Sequence, residues 1–193
     1  MYVKPEEIAY LEEKYGRARR LNVEPIRMFE NEHNVLVASM KNGRRHDVTM
    51  FIRMDGSFVC IQKHMYKGTG IYRAPSGGIH PGESLEAGLV REMKEETGLD
   101  VRTEHFLLIV NSSFIGPRGG RTDWVSYVFS GAADGGELAP VDEDEICEVR
   151  LVNEEELAGG ICERMTGMGL GGFIYRAILT REALAELRRR TPG

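Results

Sequence analysis

Residues 77–99 read GGIHPGESLEAGLVREMKEETGL. Glu92, Glu95 and Glu96 stand at helical spacing and share one face. Two unit charges ~5 Å apart repel by ~3 kcal/mol at an effective dielectric of ~20. On an open surface solvent relieves this, and like charges at i,i+4 cost only ~0.2–0.5 kcal/mol. Three acids gathered in a cleft need a cation, and carboxylate oxygens with room for water suit Mg²⁺ or Mn²⁺ better than Zn²⁺. The helix is expected to begin near Ser84, with Glu83 and Glu86 at the favourable end of its dipole. Gly98 supplies a left-handed cap. Leu89, Val90 and Met93 form an apolar arc about 120° from the acids.

Outward from this helix the chain is rich in strand signals. Residues 48–53 and 58–63 flank Asp55-Gly56, a hairpin signature. Residues 67–70 form a Gly-rich loop, and Ala74-Pro75-Ser76 leads into Gly77. Strands are expected at 101–110 and 124–129, joined across Gly116-Pro117-Arg118-Gly119-Gly120. An acidic loop at 140–145 precedes a strand at 146–151 and a short helix at 154–157. The Gly-rich run 165–172 reads as a loop and 181–190 as an amphipathic helix. Before the hairpin, a helix at 5–20 starts with Pro5 and carries Ile8, Leu11 and Tyr15. An extended run at 34–40 and an Asn42-Gly43 turn follow. The order describes an α/β fold, a mixed sheet with helices on its faces. It divides into an N-terminal helix and arm, 1–45, and a domain, 46–193.

The chain has 193 residues, 41% hydrophobic and 28% charged, the composition of a soluble globular protein. A net charge of −5 gives no general attraction to nucleic acid or an anionic membrane. The longest strongly apolar run, 106–110, is far short of a membrane span, and the charged N-terminus is unlike a signal peptide. Cys60, Cys147 and Cys162 lack CxxC spacing and read as reduced thiols. These features point to a cytoplasmic protein with a small-molecule substrate and no nucleic-acid or membrane partner. The arm at 1–45 leaves a homodimer open.

The stretch resembles the Nudix box: Gly, five residues, Glu, seven residues, Arg-Glu, an aliphatic, any residue, Glu-Glu, any residue, Gly, an aliphatic. Gly77, Glu83, Arg91, Glu92, Glu95, Glu96, Gly98 and Leu99 occupy its fixed positions, and Met93 fills the aliphatic slot. The resemblance implies a Nudix-type α/β/α sandwich with a mixed β-sheet, here with an N-terminal extension. It implies a metal-dependent hydrolase of diphosphate linkages. Glu92 and Glu96, with Glu95, would ligate Mg²⁺ (or Mn²⁺), helped by main-chain oxygens of Ser76 and Gly77. Glu83 and Arg91 would hold the loop against the helix.

The general base is open between a box acid, Glu92 or Glu95, and a later-loop acid, Glu143 or Glu145. Arg73, Arg118 and Arg121 are candidates to fork onto phosphates. Tyr66, Tyr72, Phe114 and Trp124 are candidates to stack a base. Residues 117–123 loosely resemble the Gly-rich loop of ADP-ribose pyrophosphatases, with Asp123 where those usually carry Glu. A nucleoside diphosphate linked to another group, ADP-ribose or a nucleotide sugar, is the favoured substrate. A nucleoside triphosphate or dinucleoside polyphosphate is the alternative, and a non-catalytic nucleotide sensor the rival class.

Overall fold

The computed structural model of the chain describes residues 3–190, so the outer limits of the expected arm and domain lie outside the described residues. The hairpin after Arg45 consists of β1 (His46–Met54) and β2 (Ser57–Lys63). Asp55 and Gly56 between them both have positive φ, 51° and 77°, as a two-residue turn of matching twist demands. The box then follows: β3 (Ser76–Gly77), α1 (Leu85–Thr97), and a long hairpin of β4 (Leu99–Ile115) and β5 (Arg121–Gly136). The acidic loop leads to β6 (Ile146–Val152). A short helix at Glu154–Glu156, a π-helical turn at Leu157–Ile161 and a helix at Cys162–Gly167 precede α2 (Gly171–Arg190).

The segment before residue 46 is part of the same body. Its helix αN1 (Pro5–Tyr15) ends at Gly16 rather than running to 20. Strands βN1 (Arg19–Asn22) and βN2 (Ile26–Arg27) pair parallel to β4. Residues expected to be extended at 34–40 instead belong to αN2 (Glu30–Ser39). Glu32 caps that helix by accepting from Phe29 N at 3.0 Å, and half-buried Leu36 and Met40, one turn apart, pack on the core. Local β-branched residues are a weaker determinant than this tertiary contact.

The sheet runs βN1-β4-β5-β1-β2-β6, with βN2 joined to β4 and β3 to β1. β1 is parallel to β5 but antiparallel to β2 and β3, so the sheet is mixed. Alternate residues of β1 face opposite layers. Val48, Met50 and Ile52 join Leu85, Leu89 and Met93 of α1 and Leu11 of αN1 in one core. Phe51 joins Ala177, Leu179, Leu184 and Leu187 of α2 in the other. Helices therefore cover both faces, as an α/β/α sandwich requires. Among the described residues no helix is long and apolar enough to cross a membrane.

Two further expectations are revised. Val90 is 41% exposed; the buried stripe of α1 is Leu85, Gly88, Leu89 and Met93, continuing into Glu96 and Thr97. The last helix starts at Gly171, ten residues early, and most of 165–172 is helical. Burial of Met165 and Tyr175 in the core offsets a glycine cost of about 1 kcal/mol per position.

Candidate active site

The helix of the opening stretch starts where Ser84 Oγ accepts from Ala87 N at 3.1 Å. It ends at Gly98, whose φ of 74° is left-handed. Burying Leu89 and Met93 beneath it contributes about 1.5–3 kcal/mol each and fixes its rotation. That rotation turns Glu92 and Glu96 toward β3. Glu96, only 3% exposed, accepts from Ser76 N at 2.7 Å. Glu92 accepts from Gly78 N at 3.0 Å. Ser76 and Gly77 form a two-residue strand, paired with Thr49 and Val48 of β1, rather than a free turn.

Gly77 is the point of closest approach. A Cβ there would lie 1.8 Å from Glu92 Oε2, so no other residue fits with Glu92 in place. Burial pushes the Glu92 carboxyl up to about 7; Arg91 opposes the shift and the charges of Glu96 and Glu95 add to it.

Arg91 ties the box together. Its Nε and Nη2 fork onto Glu83, both at 2.9 Å. Nη2 also donates to the Gly78 carbonyl at 2.8 Å, and Nη1 to Glu92 and Glu95 at 2.9 and 2.8 Å. Arg91 holds the Glu83 carboxyl below its usual range. Glu95 points outward and is half-exposed.

A second cation draws in a separate loop. Lys63, the last residue of β2, sits 3.2 Å from Glu96 Oε1 and pairs closely with Glu145. The acidic loop is docked on α1, since Val141 N and Asp142 N both donate to the Glu95 carbonyl at 2.9 Å. Burial works against the ionised form of Glu145, yet Lys63, with Arg73 behind it, keeps its carboxyl below the usual range. The Glu143 side chain is exposed, and its carbonyl lies 3.0 Å from His64 Nε2. Glu145 is thus the loop acid that reaches the box.

Among the described residues no three acidic, His or Cys side chains form a preassembled metal cage. The box carboxylates rest on Arg91, Lys63 and the β3 main chain. Their chemistry nonetheless fits a hard divalent cation: the donors are carboxylate oxygens, and the cradle of Gly77 lets Glu92 lie against the main chain.

The expected substrate contacts fare differently. Arg73 is buried, donating to Ala74 O at 3.0 Å, Ser76 Oγ at 2.7 Å and Tyr66 OH at 3.2 Å. It lies 3.7 Å from Glu96 and anchors β3 rather than facing a ligand. Tyr72 has Arg150 stacked 3.9 Å from its ring centroid and donates to Glu148 at 2.8 Å. Trp124 is 5% exposed. Its indole N–H donates to Asp47 at 3.2 Å, and Arg44 lies 5.8 Å from its ring centroid. It has no open stacking face. Tyr66 and Phe114 are buried against Phe173 and Tyr175. Arg121 is exposed and pairs with Asp123 at 2.8 Å, while Arg118 reaches Glu30 at 3.6 Å.

Lys63 and Arg44 are the residues that motif reading misses. Lys63 is one of several cations near a strand end, and only the β2–β6 register places it between Glu96 and Glu145. Arg44 lies against the box: a Cβ on Gly78 would come within 2.0 Å of its Nη1.

The chain is similar to several known proteins. An ADP-ribose pyrophosphatase of Methanocaldococcus jannaschii is 33% identical over 97 residues, 50% of this chain and 56% of that protein. Nudix hydrolase 2 of Arabidopsis thaliana is 43% identical over 42 residues, 22% of this chain and 15% of that protein. The chain therefore spans about half the length of the first relative and less of the second. In fold it is similar to a NUDIX hydrolase from Nitrosomonas europaea, with a TM-score of 0.55 and 18% identity, covering 76% of this chain and 89% of that one. An ADP-ribose pyrophosphatase from Streptococcus suis superposes with a TM-score of 0.50 at 17% identity, covering 77% of this chain and 92% of that one. The NUDIX domain family model matches residues 43–166. That span takes in strands β1 to β6, the acid helix and the loop that carries Glu145, and on this basis the chain belongs to the Nudix family.

Proposed function

We propose that this protein is a Mg²⁺- or Mn²⁺-dependent pyrophosphohydrolase. Its substrate is a nucleoside diphosphate joined to a second group, of the ADP-ribose or nucleotide-sugar type. One observation carries the reading: Glu92 lies against Gly77 while Lys63 brings Glu145, from a loop some fifty residues on, to Glu96 of the same helix. A solvated acidic helix needs neither contact.

Glu92 and Glu96, with Glu95 beside them and main-chain oxygens at Ser76–Gly77, would hold the cation. When bound, it neutralises phosphate oxygens and lowers the pKa of a water molecule. Arg91 and Glu83 keep the 78–83 loop closed on the helix. Glu145 is ionised and half-exposed, so its carboxylate oxygen is the acceptor for the proton of the attacking water. The water oxygen bonds to one phosphorus, the bridging P–O bond breaks, and the electron pair leaves with the second phosphate. Two phosphate-ended products result. The relative named ADP-ribose pyrophosphatase supports the substrate class.

The test is a product assay with Mg²⁺ over ADP-ribose, nucleotide sugars, nucleoside triphosphates and dinucleoside polyphosphates. Cleavage of ADP-ribose or a nucleotide sugar ahead of the others is the expected result. Preference for a triphosphate overturns the substrate reading, and tight binding without turnover of any member overturns the enzyme reading.

A further inference from the structure

The box helix has a partner outside the box. αN1 (Pro5–Tyr15) precedes the span that the family model matches, 43–166, yet it is docked on the first turn of α1. Ile8, Leu11 and Tyr15 recur at helical spacing and pack on the core that holds Leu85, Leu89 and Met93. That stripe turns the neighbouring side chains of αN1 toward the start of α1. Lys14 Nζ donates to Glu86 at 2.8 Å, and Tyr15 OH donates to the same carboxylate.

Glu7 makes the closest tie. The first N–H groups of a helix lack partners within it. In α1, Ser84 Oγ takes that of Ala87 at 3.1 Å. Leu85 N, the first of the helix, donates to Glu7 Oε1 at 2.6 Å. Leu85 is 0% exposed, so water does not replace this acceptor, and a buried amide left unpaired is costly. A carboxylate also suits the positive end of the α1 dipole.

The first turn of α1 leads on to the acids. Glu83, two residues before Leu85, accepts from His80 N at 2.9 Å and from the Arg91 fork. The 79–83 loop is seated on Gly88, where a Cβ would lie 2.3 Å from Ile79 Cδ1 and 2.8 Å from Glu83 Oε2. Arg91 carries the tie to Glu92 and Glu95. Leu85, Glu83 and Arg91 thus link Glu7 to Glu92, each joined to the next by a hydrogen bond or a step of two residues.

We propose that αN1 is part of the active-site scaffold and that Glu7 is a positioning residue for the metal-binding acids. Glu7 fixes the first turn of α1, and through Glu83 and Arg91 that turn fixes Glu92. The assignment rests on the metal-binding reading of the box.

The test compares Glu7→Ala, Glu7→Gln and Glu12→Ala in the full chain. Glutamine keeps an acceptor oxygen for Leu85 N. Glu12→Ala is the control for a loosened αN1, since its carboxylate accepts from Ala18 N and Arg20. Two readouts are taken: Mn²⁺ affinity by electron paramagnetic resonance, and amide hydrogen exchange of residues 78–92, which reports local opening. Glu7→Ala is expected to weaken Mn²⁺ binding about 10-fold, the lower end of what groups behind metal ligands contribute, and to speed exchange in 78–92. Glu7→Gln should recover most of both, and Glu12→Ala should leave Mn²⁺ affinity unchanged. Unaltered Mn²⁺ affinity in Glu7→Ala, or an equal loss in Glu12→Ala, overturns the positioning role and leaves the metal reading standing. If the unaltered protein binds no Mn²⁺, the metal reading fails and exchange alone decides the placement of the box. Faster exchange in Glu7→Ala and not in Glu12→Ala then keeps it; unchanged exchange in Glu7→Ala, or an equal rise in Glu12→Ala, overturns it.

Discussion

Gly77 and Glu92 occupy each other's space: a Cβ on the first would stand 1.8 Å from Oε2 of the second. The acid is therefore held against the main chain, where it can share a cation with backbone oxygen. Gly77→Ala must displace the Glu92 carboxylate by an ångström or more. Misplacement on that scale costs on the order of 10²-fold in rate. Steady-state kinetics should show kcat/KM down by about that factor, and circular dichroism a retained fold.

Arg91 offers five donors and uses them on Glu83, Glu92, Glu95 and the Gly78 carbonyl. Lysine keeps the charge and loses the fork. Arg91→Lys is expected to lower kcat/KM at least tenfold and stability by about 1 kcal/mol, the scale of one or two partly exposed hydrogen bonds. A urea titration and the same kinetic assay check the two effects separately.

Lys63 connects the loop acid to the helix acid. Lys63→Met releases Glu145, and Glu145→Gln removes its basicity. Both are expected to lower kcat, by roughly 10²-fold for Glu145→Gln if it takes the proton and by less for Lys63→Met. Glu143→Gln, at an exposed side chain, should change kcat less than twofold. A deficit in Glu143→Gln equal to that of Glu145→Gln would reassign the base.

His46 opens β1 and is buried. Burial pushes its pKa down to about 4; Arg44 adds to the shift and Asp47 opposes it. An unfolded histidine titrates near 6.5, so between these values the unfolded chain binds more protons. Stability falls as pH drops through that window and is unaffected by His46 above it. The expected loss from pH 7.5 to 5 is about 2 kcal/mol. Urea midpoints at the two values measure it, and His46→Gln should flatten this part of the profile.

The parts of this fold that read directly from the chain are those with strong local chemistry. Ser84 and Gly98 mark the ends of α1 because a side-chain cap and a left-handed residue are local needs. Asp55-Gly56 marks its hairpin for the same reason. αN2 and the first half of α2 do not read this way. Their helical state depends on Leu36, Met40 and Tyr175 finding a core built from distant strands. The site divides along the same line. Glu92 and Glu96 follow from helical period, whereas Lys63 between Glu96 and Glu145, and Arg44 against Gly78, follow from strand register. Arg73 shows the converse: beside the box it reads as a phosphate ligand, but its backbone bridge to Ile61 of β2 holds it with its side chain on Tyr66 and Ser76.

In the proposed mechanism a divalent cation links the acids to hydrolysis. Removal of divalent cations by EDTA should abolish hydrolysis, and Mg²⁺ or Mn²⁺ should restore it. Mn²⁺ titration followed by electron paramagnetic resonance should show weaker binding in Glu92→Gln and Glu96→Gln, each by ~10-fold or more, the loss of one charged ligand. Unchanged affinity in both would leave Glu92 and Glu96 as structural acids.

The most direct measurement incubates the protein with ADP-ribose and Mg²⁺ and separates the products, with Glu96→Gln alongside. The account requires AMP and ribose 5-phosphate from the unaltered protein and a loss of at least 10²-fold in Glu96→Gln. Intact ADP-ribose with the unaltered protein, or equal turnover by the two, would contradict it.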